Sequence, residues 1–126
     1  MRVLVCGGRD FGVDEYGGIT DKADPLLNAL DELLEEYGDT LVIIEGGARG
    51  ADTIASVWAT HRRVAHKTFP ADWHRYKRAA GLIRNQQMID EGKPDLVLAA
   101  PGGAGTRDMT SRAEKQGIPV LYLILN

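Results

Sequence analysis

The sequence has 126 residues, about the length of one domain, so a catalytic domain joined to a separate partner domain is not expected. Hydrophobic residues at 44% and charged residues at 26% are ordinary values, and they exclude a disordered, collagen-like or coiled-coil protein. The net charge of −3 argues against non-specific binding to duplex DNA, although residues 61–84 carry a local charge of +6 that can receive a phosphate-bearing ligand.

The first part of the chain predicts a strand, a long connection and a helix. The strand is expected over Val3–Cys6, and the connection over Phe11–Asp21 is expected to form either a mobile lid or a disordered surface loop. Asp24 is expected to cap the helix, with Pro25 at its first position and Gly38 after its last. Leucines at three- and four-residue spacing predict a core-facing stripe opposite a solvated acidic face.

Strands and helices alternate through the rest of the chain. Further strands are expected over Leu41–Ile44, Val64–Phe69, Leu96–Ala100 and Val120–Ile124, and further helices over Ala51–Arg62, Arg75–Glu91 and Arg107–Gln116. This alternation predicts one α/β domain over residues 1–126, in which about four helices cover both faces of a mostly parallel sheet of about five strands. Near-continuous apolar runs such as Leu41–Ile44 predict strands that are buried on both sides.

Glycine is over-represented, with 15 residues where an average composition of about 7% predicts roughly nine. Eight of them follow predicted strands in three clusters, which are Gly7 and Gly8, then Gly46, Gly47 and Gly50, then Gly102, Gly103 and Gly105. The carboxyl ends of parallel strands meet at one edge of the sheet, where ligands bind. Because glycine lets backbone N–H groups approach a ligand at the start of a helix, the clusters predict a cradle for phosphate. Neither a Gly-x-x-x-x-Gly-Lys-Ser/Thr nor a Gly-x-Gly-x-x-Gly signature is present.

Five motifs in order carry a resemblance to a known family. They are Gly8–Phe11, Gly46–Asp52, Asp72-Trp73, Ala80–Met88 and Pro101–Thr106. With them the chain resembles the SLOG superfamily, above all its small YspA or cpYpsA-related branch, and is more distantly similar to LOG-type phosphoribohydrolases and DNA-processing protein A. The resemblance covers nearly the whole chain. It implies a Rossmann-like three-layer sandwich, a role as sensor or processor of nucleotide-derived ligands, frequent encoding by phages and mobile elements, and a homodimer.

The motifs and the glycine clusters together give the candidate ligand-binding residues. Arg84 suits a phosphate or a base, and Asn85 suits a ribose or a base edge. Trp73 is expected either to stack on a base or to plug the edge of the core, and Asp52 either to bind a ribose hydroxyl or to cap the second helix. Asp10 is expected to bind ribose or to pair with Arg9. The full set is Gly7, Gly8, Arg9, Asp10, Gly46, Gly47, Gly50, Asp52, Asp72, Trp73, Arg84, Asn85, Gly102, Gly103, Gly105 and Thr106.

One departure from the phosphoribohydrolase motif leaves bond cleavage open. In those enzymes the motif continues to a Glu, which acts with an Arg at the N-glycosidic bond. Arg84 matches the Arg, but Met109 stands where the Glu would be. A thioether cannot supply the negative charge that stabilises an oxocarbenium-like transition state. Glu45, Arg84 and Asp108 are the candidate catalytic residues, and whether the protein is an enzyme stays open.

Three functions are compatible with these features. The leading hypothesis is binding of a nucleotide or nucleotide-derived ligand, and the alternative is hydrolysis of an N-glycosidic or phosphate bond in a nucleotide. A second alternative is a single-stranded DNA-binding module, because Trp73 and Tyr76 accompany the +6 region and aromatic side chains beside a cationic groove stack on bases. No resident cofactor is expected, and Mg²⁺ would enter only with a bound nucleotide.

The sequence also gives predictions for the cellular compartment and for metal binding. No apolar run approaches the ~18 residues of a membrane span and no signal-peptide core is present, so we expect a cytoplasmic protein with no membrane partner. The single cysteine, Cys6, excludes an intrachain disulfide and is expected to be a small buried residue. His61, His66 and His74 lack metal-ligand spacing, so no metal site is predicted.

Overall fold

The structure is a computed structural model that describes residues 1–125. Its strands are β1 (Arg2–Cys6), β2 (Val42–Glu45), β3 (Ala65–Thr68), β4 (Leu96–Ala99) and β5 (Val120–Tyr122). Its helices are α1 (Asp24–Tyr37), α2 (Ala51–Arg62), α3 (Trp73–Tyr76), α4 (Ala80–Gly92) and α5 (Ala104–Lys115). Short 3-10 turns at Asp21–Ala23, Gly38–Thr40 and Lys77–Ala79 adjoin the helices.

The five strands form one parallel sheet in the order β3-β2-β1-β4-β5. The chain moves outward from the central strand β1 to β3, then crosses back to β4 on the other side of β1. Helices α1 and α2 pack together on one face, and α4 and α5 pack together on the other. The predicted Rossmann-like three-layer α/β fold is therefore confirmed. The strand order reverses between β1 and β4, the position at which such sheets open a ligand crevice.

Alternate residues of β1 point into two separate cores. Val3 and Val5 pack with the leucine stripe of α1 and the inner face of α2, whereas Leu4 and Cys6 pack with α4 and α5. This alternation is the two-residue period of a strand with both faces covered. The predicted two-sided burial is confirmed for β2 and β4, but every residue of the edge strand β3 is exposed.

Three predicted helix boundaries are wrong. Asp24 is the first residue of α1 and not its cap, because a 3-10 turn capped by the Thr20 hydroxyl leads directly into the helix. The predicted helix Arg75–Glu91 is interrupted, since Lys77 has a left-handed φ of 53° and separates α3 from α4. The last helix begins at Ala104, three residues before its predicted start, so its first turn consists of glycine-loop residues.

The long connection after β1 is a hydrogen-bonded loop. Val13 and Ile19 form an antiparallel bridge, and the Asp14 carboxylate accepts hydrogen bonds from the N–H groups of Tyr16 and Gly18 at 2.9 and 2.8 Å. The guanidinium of Arg49 donates to the Asp14 carbonyl at 2.7 Å, which ties this loop to the loop after β2. No helix within residues 1–125 combines the length and the apolar character that a bilayer crossing requires.

Candidate functional site

A cavity of about 1010 Å³ lies at the carboxyl ends of β1, β2 and β4. The loops after these strands form its floor and one wall, and the first half of α4 and Trp73 form the other. Ligand sites are usually clefts of about 300–1,000 Å³, so this cavity can hold a molecule of nucleotide size. A smaller cavity of about 210 Å³ lies behind the α5 loop.

The charged residues of the cavity are mostly cationic. Four arginines line it, and they are Arg9, Arg49, Arg78 and Arg84. The only carboxylate among its described lining residues is that of Asp52. Arg49 and Arg78 are not among the ligand-binding residues predicted from the sequence. The former lies within the Gly46–Asp52 motif and the latter within the +6 region, but only the fold shows that both reach the cavity. The excess of positive charge favours an anionic ligand.

Arg84 is held against the loop after β2 by backbone acceptors. Its Nη1 atom donates to the carbonyl of Gly46, and its Nε atom lies 3.3 Å from the Asn85 side-chain oxygen. A Cβ atom on Gly46 would lie 2.5 Å from Nη1, so only glycine lets the guanidinium approach this closely. These contacts fix the half-buried arginine at the cavity wall, where the cost of ordering it is already met before a ligand binds.

The amino end of α5 faces the cavity without a side-chain cap. Its N-cap residue is Gly103, no acidic residue occurs in its first turn, and Gly103, Gly105 and Thr106 line the cavity. The first N–H groups of a helix lack intrahelical partners and carry the positive end of its dipole. A phosphate is the group that such a helix end binds most readily.

The fold does not explain why residues 103 and 105 are glycines. Neither has a positive φ, and a Cβ atom at either position would have no neighbour within 4 Å. Gly50 is different, because its φ is +84° and its Cβ would lie 2.2 Å from the Gly8 carbonyl. Gly50 is required by the packing of the loops. Gly103 and Gly105 instead leave open space on the cavity side of α5.

Asp52 lies in the first turn of α2 and is 7% exposed. The expected capping of α2 by Asp52 is wrong, because Gly50 is the N-cap and no side chain caps the helix. The Oδ2 atom of Asp52 instead accepts a hydrogen bond from the Ala48 N–H at 3.1 Å, in the loop before the helix. Burial, with a smaller effect of nearby Glu45, raises the pKa of Asp52 to about 6 despite this hydrogen bond. The carboxylate is thus a buried negative charge at the cavity surface.

The other two candidate carboxylates do not line the cavity. Glu45 is 1% exposed, and its two oxygens accept hydrogen bonds from the Gly47 N–H at 2.6 Å and from the Thr68 hydroxyl. Asp108 lies between α4 and α5, where it accepts from Asn85 at 2.9 Å and from Arg112 at 2.8 Å. Partial burial opposes the charge of Asp108, but these hydrogen bonds outweigh it and lower the pKa. Both carboxylates hold structural elements together.

The remaining candidates divide between the cavity and the surface. Trp73 is 56% exposed and lies along the cavity wall, close to Gly81. Asn85 is buried and reaches the cavity, where its side-chain nitrogen lies 3.3 Å from the Gly105 carbonyl. Asp72 is outside the cavity and caps α3 by accepting from the Arg75 N–H at 3.0 Å. Asp10 is outside it too, 3.9 Å from Arg49 and not paired with Arg9. Gly102 lines the smaller cavity.

Two further residues of the cavity floor are buried and chemically inert. Met109 is 1% exposed and packs in the core beneath α5, so an apolar thioether occupies the place of the motif Glu. Burial, and secondarily the charge of Asp52, raises the pKa of Cys6 to about 12, which keeps its thiol protonated. Within residues 1–125, no three His, Cys, Asp or Glu side chains are grouped so as to hold a metal ion.

Comparisons with known proteins identify relatives of the sequence and of the fold. The family model described as YAcAr, the YspA, cpYpsA-related SLOG family, matches residues 1–76. The Gene 61 protein of Mycobacterium phage D29 is 36% identical over an alignment of 127 positions, which covers 95% of this chain and 94% of the phage protein. This relative fits the expected association with phages.

Two solved structures share the fold at low sequence identity. The X-ray structure of DNA processing protein A (DprA) from Streptococcus pneumoniae matches with a TM-score of 0.65 and 18% identity, over 96% of this chain and 49% of that one. UDP-GlcNAc 2-epimerase from Neisseria meningitidis, solved bound to UDP-GlcNAc, matches with a TM-score of 0.55 and 17% identity, over 97% of this chain and 32% of that one. The chain therefore spans about half and a third of these structures, and the likeness is one of fold.

Proposed function

Since this chain belongs to the YspA, cpYpsA-related SLOG family, we propose that it binds a nucleotide or nucleotide-derived ligand in the cavity, as a sensor or processing protein. Family membership and fold fit a nucleotide-related role. The observation that carries the proposal is the amino end of α5, where Gly103 and Gly105 keep the cavity side free of side chains although neither backbone angle nor packing requires glycine. A phosphate group placed there receives backbone N–H donors and the helix dipole.

The other cavity residues suit the rest of a nucleotide. Arg78 and Arg84 add charge-assisted donors for phosphate oxygens, and the exposed ring of Trp73 offers a stacking surface for a base. Because Arg84 is already fixed by Gly46, little side-chain entropy is lost when it meets the ligand. Charge, stacking surface and cavity size therefore support the same class of ligand.

Isothermal titration calorimetry with AMP, GTP, NAD, ADP-ribose and cyclic AMP tests the proposal. At least one of these ligands should bind to the wild-type protein. Arg78→Ala should weaken that binding about tenfold or more, since a hydrogen bond to a charged group contributes roughly 1.5–3 kcal/mol. Arg75→Ala is the matched control, because Arg75 belongs to the same exposed segment but stacks on Tyr76 and does not line the cavity. Absence of binding across the panel, or equal losses in the two variants, would overturn the proposal.

Binding is better supported than cleavage. The motif Glu is replaced by the buried Met109, and neither Glu45 nor Asp108 lines the cavity. Chromatography of the same nucleotides after incubation with the protein should therefore return them intact. Release of free base or ribose phosphate, absent in an Arg84→Ala variant, would establish the hydrolase instead.

Single-stranded DNA is a second candidate ligand, favoured by one observation. Trp73 and Tyr76 are 56% and 36% exposed on α3, beside the basic residues of the +6 region. Stacking of a base on such a ring contributes about 1–3 kcal/mol. Contacts of lysines and arginines with the phosphates make the binding depend strongly on salt. Salt-sensitive retardation of an oligodeoxynucleotide, lost in a Trp73→Ala variant, would support this candidate.

A further inference from the structure

The α2 end of the cavity differs chemically from the α5 end. Asp52 places a carboxylate in the first turn of α2, whereas the first turn of α5 holds no acidic residue. A phosphate at the α2 end would meet this buried negative charge, and like charges repel more strongly near a protein surface than in bulk water. The phosphate therefore belongs at α5, and the ligand group facing Asp52 must be a hydrogen-bond donor.

Asp52 has unused capacity to accept hydrogen bonds. A carboxylate offers about four acceptor positions. The Ala48 N–H donates to it at 3.1 Å, and the Gly46 N–H and the charge of Arg84 also act on it, each lowering its pKa. Among residues 1–125, no side chain donates a hydrogen bond to it. Since Asp52 is 7% exposed and lines the cavity, acceptor positions that the protein leaves unused are open to a ligand there. A buried charge without enough donors is costly, so a ligand hydroxyl at this point gains a favourable partner.

The strand order sets the sequence of these features along the sheet edge. Trp73 follows β3, Asp52 lies on the helix that follows β2, and the amino end of α5 follows β4. Across β3, β2, β1 and β4, a stacking ring, a hydroxyl acceptor and a phosphate cradle therefore appear in that order. A nucleotide has its base, its ribose and its phosphate in the same order.

We propose that Asp52 is a specificity-determining residue that accepts a hydrogen bond from a ribose hydroxyl, so that the cavity selects ribonucleotides over deoxyribonucleotides. The inference rests on the proposed function, because it assigns the ligand class of that same cavity. The 2′-hydroxyl and the 3′-hydroxyl are both donors that can reach one carboxylate, and comparison of the two deoxy forms separates them. A deoxyribonucleotide would leave the Asp52 carboxylate facing an apolar carbon.

Calorimetric titration with 5′-AMP and 5′-GMP, each beside its 2′-deoxy and 3′-deoxy forms, tests this inference. For whichever base binds, the ribonucleotide should bind about tenfold or more tightly than at least one deoxy form, as expected for a hydrogen bond to a charged acceptor. Asp52→Ala should bring this ratio close to one. Thr53→Ala is the matched control, since Thr53 donates to the Ala48 carbonyl in the same loop but does not line the cavity. It should keep the wild-type ratio.

The outcomes distinguish the two proposals. Equal affinity for ribo and deoxy forms in the wild-type protein, or an unchanged ratio in Asp52→Ala, would overturn the role of Asp52 while nucleotide binding stands. If none of the six nucleotides and no member of the earlier ligand panel bound, the proposed function would fail, and this inference would fail with it. A preference for the deoxy forms would favour the single-stranded DNA candidate and would refute selection of ribose.

Discussion

Replacing Asp52 with Asn should stabilise the folded protein, and the gain should grow as the pH rises. Burial raises the pKa of Asp52 from 3.8 to about 6, so the folded state binds a proton more tightly than the unfolded state does. The contribution of Asp52 to stability is therefore fully present below pH 3.8 and is lost as the pH rises through 6. Asn is nearly isosteric, keeps an acceptor for the Ala48 N–H and never carries the buried charge.

The two pKa values set the size of the effect. A rise in pKa from 3.8 to about 6 lowers the free energy of unfolding by about 3 kcal/mol at neutral pH, because each pKa unit corresponds to about 1.36 kcal/mol. The same relation gives an advantage for Asp52→Asn of about 2 kcal/mol at pH 5 and about 3 kcal/mol at pH 7.5. For a chain of this length the larger value corresponds to an increase in Tm of roughly 10 °C.

Urea denaturation of both proteins at about pH 5 and about pH 7.5, followed by tryptophan fluorescence, measures the difference. Asp108→Asn is the control, because its effect on the free energy of unfolding should have the opposite sign. Hydrogen bonds from Arg112 and Asn85 lower the pKa of Asp108, so its charge stabilises the folded state at neutral pH and its replacement should destabilise it. A gain for Asp52→Asn that is the same at both pH values, or a loss at pH 7.5, would refute the reasoning.

Three further experiments, two with substitutions and one with a thiol reagent, test separate parts of the site. Gly105→Ala should raise the free energy of unfolding by up to about 1 kcal/mol, because glycine disfavours a helix, yet weaken nucleotide binding; a loss of stability would show that the fold needs this glycine. Thr68→Val should destabilise the fold by roughly 1–3 kcal/mol in urea denaturation, since it leaves an oxygen of buried Glu45 without a donor, whereas Thr68→Ser should not; equal stability of both variants would contradict this role. Cys6 should react with a thiol reagent at about pH 8 only in denaturant, because its thiol is buried and its pKa is about 12; prompt labelling of the native protein would contradict that assignment.

The sequence predicted the fold because its information is local. Four of the five strands are short, mostly apolar runs that alternate with helical patterns, so the parallel α/β arrangement follows from that alternation. The exception is β3, whose residues are all exposed. Glycine clusters at three strand ends likewise predicted one shared edge, and Gly7, Gly46 and Gly103 do line the same cavity. What local patterns cannot provide is the order of the strands, which makes β3 an exposed edge and β1 the centre.

The errors arise where one element depends on another. Glu45 looked free for acid–base chemistry, but the register of β2 against β3 places Thr68 opposite it, and the Thr68 hydroxyl takes one of its oxygens. The break at Lys77 has no signal in the sequence, since neither glycine nor proline marks it. Arg49 and Arg78 belong to the site only because two loops distant in sequence meet there. These features depend on contacts between segments that are distant in sequence, so they cannot be predicted from one segment alone.

The crossing from β3 to β4 divides the site between two halves of the chain. Residues 1–76 supply Asp52 and Arg49, whereas Arg84 and the amino end of α5 come from the part that follows. The cavity is therefore complete only when β4 has paired with β1. A ligand that contacts both halves binds only the fully assembled sheet. Such a ligand stabilises the whole domain by RT ln(1 + [L]/Kd), so the free energy of unfolding would rise with occupancy of the cavity.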